Sequence, residues 1–203
     1  MLTKNKLKKS GSLNSPFKIQ EFLDSIPYSI EERYRCPKSV LQDNRAHCYD
    51  GAVFAAAALQ IIGYPPLLVE MLPNNRDDDH ILAVFRQGKC WGAVAKSNFV
   101  GLRYREPVYR SLRELIMSYF ESYFNIAGER TLFGYTAPLN LNRFNKLDWL
   151  IHDSAMDVIG DALNGIRKYR IMTPAMTRKL TCVDERSYKA GLLGSKQSGL
   201  FKP

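Results

Sequence analysis

The chain has no long hydrophobic run. Its longest apolar stretch, 52–62, is interrupted by Gln60 and followed by Gly63, whereas a membrane-spanning helix needs about 18 to 20 consecutive apolar residues. The first residues are basic, but Lys, Ser, Gly and Asn follow where a signal peptide would require an apolar segment. We therefore expect no membrane span, no secretory leader and a cytoplasmic location.

Cysteine and histidine are scarce, with four and three residues in 203. The cysteines are widely spaced and form no Cys-x-x-Cys pair, so neither a disulfide framework nor a zinc site is indicated; they are Cys36, Cys48, Cys90 and Cys182. The three histidines are equally scattered. We expect four free thiols in a reducing compartment, with no metal and no cofactor.

Acidic residues are scarce at the two ends of the chain. Residues 1–9 contain four Lys and no acid, and 167–203 contain nine basic residues against Asp184 and Glu185. The formal net charge is +9, so the body between the ends, 10–166, carries −2. Basic ends can attract nucleic acid or an acidic partner weakly and without specificity, or simply keep the chain soluble. The body itself is not a basic DNA-binding domain.

Length and composition indicate one globular domain. A chain of 203 residues with 45% hydrophobic and 24% charged residues can form a hydrophobic core without disulfide bonds or a structural metal. We predict a flexible basic tail at 1–16, a single domain at 17–180 and a frayed basic tail at 181–203. Within the domain we predict a core at 41–100 and a helical cover at 101–180.

Hydrophobic periodicity predicts an α+β fold. Residues 49–62 are rich in Ala and carry apolar residues at helical spacing with almost no polar face, which is typical of a buried central helix. Three strand-like runs follow, and the later helices are amphipathic with one preceded by a capping box. The predicted helices are 17–25, 49–62, 111–124 and 147–166, and the predicted strands are 67–72, 81–86 and 90–95.

Cys48 opens the buried helix, and His80 precedes the second strand. The free amides and the positive dipole end at a helix start favour a thiolate, and the thiolate is the nucleophile in cysteine catalysis. A histidine entering a neighbouring strand can serve as its base if a third polar group fixes the imidazole. The alternative is a small buried cysteine and an unrelated surface histidine.

The succession of residues resembles the core of the transglutaminase-like superfamily, within the papain-like cysteine-enzyme fold. The matching pieces are Cys48-Tyr49 with its Ala-rich helix, Gly63-Tyr64-Pro65, the run 80–85 that begins with His80, and Trp91-Gly92. The resemblance covers about a quarter of the chain. It implies a central Cys-bearing helix packed on an antiparallel sheet, followed by C-terminal helices. Ala46 and Pro66 stand where the family usually has Gly and Arg.

The resemblance also implies a set of site residues. It makes Cys48 the nucleophile and His80 the base. The family's aspartate after the Trp is missing, and Asn98 is the best replacement, with Ser97 the weaker one. Gln42 or Asn44, upstream of the cysteine, would complete an oxyanion hole with the Cys48 N–H. We further expect the acids at 77–79, if they lie close, to raise the pKa of His80.

Two functions remain open on these residues. The first is a cysteine-nucleophile acyl-transfer enzyme, a hydrolase or a transglutaminase-type transferase, acting on peptide or protein amides through Cys48, His80 and Asn98. The second is a catalytically decayed binding module on the same fold, whose basic termini hold nucleic acid or an acidic partner.

Overall fold

Seven antiparallel strands form one sheet in the computed structural model, which describes residues 13–202. The spatial order is β4-β3-β2-β1-β5-β7, and β6 pairs with the other end of β1. Their bounds are β1 Leu67–Pro73, β2 His80–Gln87, β3 Cys90–Val94, β4 Arg105–Tyr109, β5 Leu132–Thr136, β6 Leu139–Asn140 and β7 Lys168–Arg170.

Seven α-helices accompany the sheet in the described part of the chain. They are α1 Pro16–Ser25, α2 Pro37–Asp43, α3 Cys48–Ile61, α4 Leu112–Met117, α5 Ser154–Asn164, α6 Pro174–Thr177 and α7 Glu185–Gly191. Helices packed on an antiparallel sheet confirm the predicted α+β class. Between residues 13 and 202 no helix has both the length and the apolar composition to cross a bilayer.

Helix α3 lies in the middle of the larger core, as its composition predicts. Eleven of its 14 residues are buried, because the small Ala side chains let the sheet and the helices α1 and α2 approach it closely. The helix ends where Gly63 adopts a left-handed φ of 98° and Pro65-Pro66 follows. This packing holds the first turn of α3 rigidly at one end of the sheet.

The sheet is covered on both faces. Alternate residues of β2 point to opposite sides: Ile81 and Phe85 join the core around α3, whereas Leu82 and Val84 join a second core. Leu115 of α4 belongs to that second core, which also contains Tyr119 and Tyr123. Buried on both faces, the central strands read as nearly continuous apolar runs.

The predicted helical cover at 101–180 is wrong in part, because four strands (β4 to β7) lie within it and widen the sheet. The helix predicted at 111–124 stops at Met117. There the Ser118 hydroxyl donates to the Leu115 carbonyl at 2.6 Å, and a 3₁₀ turn follows at Phe120–Ser122. The helix predicted at 147–166 begins only at Ser154.

The segment 181–202 is packed on the domain, so the predicted frayed tail is corrected. The Val183 N–H donates to the Gly128 carbonyl at 2.8 Å, and the Tyr188 hydroxyl donates to the Ile126 carbonyl at 2.8 Å. Further along, the backbone of Lys196 pairs with the side chain of Asn98. Of the predicted N-terminal tail, residues 1–12 lie outside the described residues.

Candidate active site

The first turn of α3 is fixed by side chains of its own sequence. His47 is the N-cap, and its Nδ1 accepts the Tyr49 N–H at 3.1 Å, while the Asp50 carboxylate faces the His47 N–H at 3.5 Å. Burial lowers the pKa of His47 to about 4, so the ring is neutral and can accept this bond. The capping satisfies helix-end amides that would otherwise lack partners.

Asp50 and Arg35 anchor this turn to the preceding loop. Asp50 is fully buried and accepts the Arg35 backbone N–H at 2.7 Å, and the Arg35 guanidinium lies 3.5 Å from its other oxygen. Burial raises the pKa of Asp50 to about 7, against the lowering effect of these contacts. Arg35 also bonds to Asp43 at the end of α2. Cys48 therefore stands on a turn held by buried polar contacts.

The half-buried Cys48 lines two adjoining cavities. One is an open cleft of about 620 Å³, bounded by α3, α5, the loop before α2 and the segment 198–201. The other is a smaller cavity of about 60 Å³ at the N-terminal end of β2, which His80 also lines. Cys48 thus borders both the open cleft and the smaller cavity that the imidazole of His80 lines.

His80 is buried and oriented by a backbone carbonyl. Its Nε2 lies 2.8 Å from the oxygen of Leu102. Because a carbonyl can only accept, Nε2 carries the proton and Nδ1 keeps its lone pair in the neutral ring. Burial lowers the pKa of His80 to about 4, and the bond to Leu102 offsets this only partly. The ring is a neutral, fixed proton acceptor at neutral pH.

Cys48 and His80 approach the small cavity from opposite sides of the sheet. Alternation places His80 on the face of β2 that carries Leu82 and Val84, whereas α3 packs on the other face. Both side chains line the cavity where the strand begins. Among residues 13–202, no hydrogen bond joins the thiol to the imidazole, whose Nε2 is bonded to Leu102.

The electrostatics differ from a thiolate–imidazolium pair. Burial raises the pKa of the Cys48 thiol, and the carboxylates of Asp79 and Asp78 raise it further, while the backbone of Tyr49 acts the other way. The predicted helix-start thiolate is therefore corrected. The acids at 77–79 do not raise the pKa of His80; the negative charge of Asp78 and Asp79 acts on Cys48 instead.

Asn98 and Ser97 are used elsewhere. Asn98 lines the small cavity, but its Nδ2 donates to the Lys196 carbonyl at 2.8 Å and its Oδ1 accepts the Lys196 N–H at 2.7 Å. Ser97 accepts the Phe99 N–H at 3.0 Å in a local turn. The group that faces the ring nitrogen of His80 is the Leu102 carbonyl, which replaces the predicted Asn98 in that position.

Three supporting residues proposed from the resemblance lie away from the cavities. Gln42 and Asn44 are exposed, and Asn44 adopts the left-handed conformation that ends α2. Trp91 pairs with Arg86 of β2 and packs under its guanidinium at 5.2 Å. Arg86 lies six positions after His80 along an extended strand, which corresponds to roughly 20 Å. Neither cavity is lined by any of the three.

Tyr28 is a polar residue beside Cys48 that was not predicted from the sequence. It lines both cavities together with Cys48, and burial raises its pKa, so the hydroxyl stays protonated. Tyr28 arrives from the loop after α1, where it pairs with Ala46 in a short parallel bridge. No spacing in the sequence signals this contact, since twenty residues separate Tyr28 from Cys48.

The open cleft is strongly acidic. Seven carboxylic acids from separate segments line it, and among residues 13–202 no lysine or arginine does. They are Glu31 and Glu32 before α2, Glu70 on β1, Asp78 and Asp79 before β2, and Asp157 and Asp161 on α5. Glu70 is buried. These carboxylates give the cleft a negative potential, although Glu31 is paired with Arg35 and Arg45.

Neither a protein-family model nor a curated protein sequence matches the chain. The likeness to the transglutaminase-like superfamily therefore rests on its own residues alone.

Proposed function

We propose that this chain is a cysteine-nucleophile acyl-transfer enzyme acting on peptide or protein amides. The observation that carries the proposal is the shared cavity: Cys48, at the start of a rigid helix, and His80, with Nε2 held by Leu102, both line it. The order of a helix-opening Cys followed by a strand-opening His is also that of the transglutaminase-like superfamily. The beginning of β2 has to supply the base, because His47 is engaged as the helix cap.

The roles follow from these positions. Nδ1 of His80 takes the thiol proton as the Cys48 sulfur attacks the amide carbonyl carbon. The resulting oxyanion accepts hydrogen bonds from the Cys48 N–H and from the hydroxyl of Tyr28, which lines both cavities with Cys48. When the carbon–nitrogen bond breaks, the imidazolium returns its proton to the leaving amine. The thioester left on Cys48 is then resolved by water, which makes the enzyme a hydrolase, or by an amine, which makes it a transferase.

Both groups are neutral at rest in this scheme. The pKa of the thiol is raised and that of the imidazole is lowered, so the ion pair forms only as the substrate is attacked. Such a site works by general-base catalysis, as serine enzymes do, rather than from a preformed thiolate. It also requires the two side chains to close on each other when the substrate enters. The Leu102 carbonyl stabilises the imidazolium once it has formed.

A binding module without chemistry is the second candidate. It is favoured by the raised pKa of Cys48 and by the missing hydrogen bond between its thiol and His80 in the described structure. In that case the cleft holds its ligand without covalent attack. Binding of nucleic acid or an acidic partner by the basic termini would be a separate property, lost at high salt.

An acyl-enzyme measurement separates the two candidates. The protein is incubated with 4-nitrophenyl acetate, and the modified residue is identified by intact mass and peptide mapping. The Cys182→Ser variant provides the background, because Cys182 is exposed and reacts on its own, and Cys48→Ala provides the negative control. We expect one acetyl group on Cys48. An enzyme that stays unmodified at Cys48 would leave only the binding module.

A further inference from the structure

Glu70 is a buried carboxylate at the wall of the cleft with an oxygen that lacks a partner. The residue is 4% exposed, and its Oε2 has no hydrogen-bond partner among the described residues. Its position is fixed by the strand, since its backbone N–H donates to the Thr136 hydroxyl at 2.9 Å. An unpaired buried acceptor costs free energy, and a carboxylate costs more than a neutral group. A ligand that donates hydrogen bonds there would recover that cost.

A second carboxyl lies beside Glu70. Asp79 lines the same cleft two residues before Ile81, which is the strand partner of Glu70, and the Glu70 carboxyl contributes to raising the pKa of Asp79. Two adjacent carboxyls repel unless they share a proton or a cation. Lys168, on β7, lowers the pKa of Asp79 through its charge, and it does not line the cleft. The pair therefore offers hydrogen-bond acceptors to a ligand that occupies the cleft beside Cys48.

We propose that the Glu70–Asp79 pair binds the positively charged side chain of a peptide substrate, a lysine or an arginine near the amide that Cys48 attacks. The peptide's role as substrate rests on the proposed function, whereas the cation site does not depend on turnover. Glu70 and Asp79 accept hydrogen bonds from the ammonium or guanidinium group. The remaining acids of the cleft add a negative field that attracts the ligand.

The surroundings favour an organic cation. No group of three or more His, Cys, Asp or Glu side chains between residues 13 and 202 is arranged to hold a metal ion. The rings of Tyr28, Tyr34 and Tyr49 also line the cleft. Aromatic rings pack well against the aliphatic stem of Lys or Arg and attract its charged end. A volume of about 620 Å³ accommodates such a side chain together with adjoining peptide.

The test is a binding measurement in the full chain carrying Cys48→Ala, so that no covalent step takes part. Calorimetry compares acetyl-Gly-Lys-Gly-amide and acetyl-Gly-Arg-Gly-amide with the same peptide containing norleucine. We expect at least one cationic peptide to bind about tenfold or more tightly than the neutral one, and its affinity to fall as salt is raised. Equal affinities for all three peptides would overturn the proposal.

Variants assign the binding to the carboxylates. Glu70→Gln keeps the shape of the side chain and removes its charge. We expect this variant to bind the cationic peptide about tenfold more weakly and the norleucine peptide with unchanged affinity. Glu21→Gln, an exposed carboxylate on α1 paired with Lys18, is the matched control. If Glu70→Gln fails to fold, Asp161→Asn on the exposed surface of α5 should still reduce the affinity for the cationic peptide, by less than about tenfold.

Three outcomes are distinguishable. The cation site is overturned if Glu70→Gln weakens binding of the cationic peptide no more than Glu21→Gln does. The same criterion applies to Asp161→Asn if it has to replace Glu70→Gln. Selective binding of a cationic peptide, together with no acylation of Cys48 in the wild-type protein, retains the cation site and removes the enzyme. Selective binding together with acylation supports both.

Discussion

The Nε2 of His80 lies 2.8 Å from the backbone oxygen of Leu102. This contact determines which nitrogen holds the proton, and it leaves Nδ1 as the acceptor in a cavity that Cys48 also lines. A backbone carbonyl thereby performs the orienting task that a carboxylate or amide side chain performs in other cysteine enzymes. Because the carbonyl belongs to the backbone, replacing the side chain of Leu102 does not remove this acceptor.

The lowered pKa of His80 predicts a pH dependence of stability. A histidine with a folded-state pKa of about 4, below the unfolded value of 6.5, contributes stability that is present above the unfolded pKa and is lost as pH falls toward 4. His80→Gln keeps a donor for Leu102 but does not titrate. The unfolding free energy of the wild type relative to this variant should fall by about 2 kcal/mol between pH 7 and pH 4.5.

Urea unfolding at the two pH values measures this difference. The comparison with a variant is needed because Asp50 and Asp79, both with pKa values raised to about 7, act in the opposite direction over the same range. They favour the folded state when protonated and cost stability as pH rises. A difference that stays constant with pH would mean that His80 is not buried as a neutral ring.

The charge of Asp79 should slow the reaction of Cys48 with alkylating reagents. Its carboxylate raises the thiol pKa, so Asp79→Asn should lower that pKa and speed the reaction with iodoacetamide about tenfold at pH 8. The rate is followed by mass spectrometry of the Cys48 peptide. Glu21→Gln, distant on α1, should leave the rate unchanged, and an equal rise in both variants would contradict a local effect of Asp79.

The segment 198–201 should restrict access to Cys48. It lines both cavities, and it is held by two hydrogen bonds between Asn98 and the backbone of Lys196. Removing residues 197–203 should therefore speed alkylation of Cys48 several-fold, and Asn98→Ala should do so to a smaller extent. Alkylation of the exposed Cys182 serves as the internal reference.

The same variant separates two roles for Asn98. If the amide only anchors the segment, Asn98→Ala raises the reactivity of Cys48 and leaves acylation by an ester intact. If it orients His80, as the sequence prediction has it, acylation falls although access improves. The observed hydrogen bonds favour the first result.

Much of the fold follows from hydrophobic pattern. The Ala-rich helix and the three following strands were predictable because each is strongly periodic or continuously apolar. Helix α2 was missed because it is only seven residues long and lies in a polar stretch. The end of α4 at Met117 depends on a side-chain bond of Ser118 that periodicity does not reveal.

The site was predictable only where side-chain identity carries the signal. A cysteine at a helix start and a histidine at a strand start meet at the same end of the sheet, and the structure places both at one cavity. The Leu102 carbonyl has no sequence signature, because every residue carries one. Tyr28 reaches the site from a distant loop, and Asn98 is bonded to a segment nearly a hundred residues away. Such long-range contacts leave no local signal in the sequence.

The most direct test compares the rate of Cys48 acetylation by 4-nitrophenyl acetate in the wild type and in His80→Gln, in the Cys182→Ser background. The variant keeps a donor for Leu102 and removes the base. If His80 is the base, the rate at neutral pH should be at least about 100-fold lower in His80→Gln, and circular dichroism should show that the fold is retained. Equal rates would show that His80 does not activate Cys48 and would contradict the proposed acyl transfer.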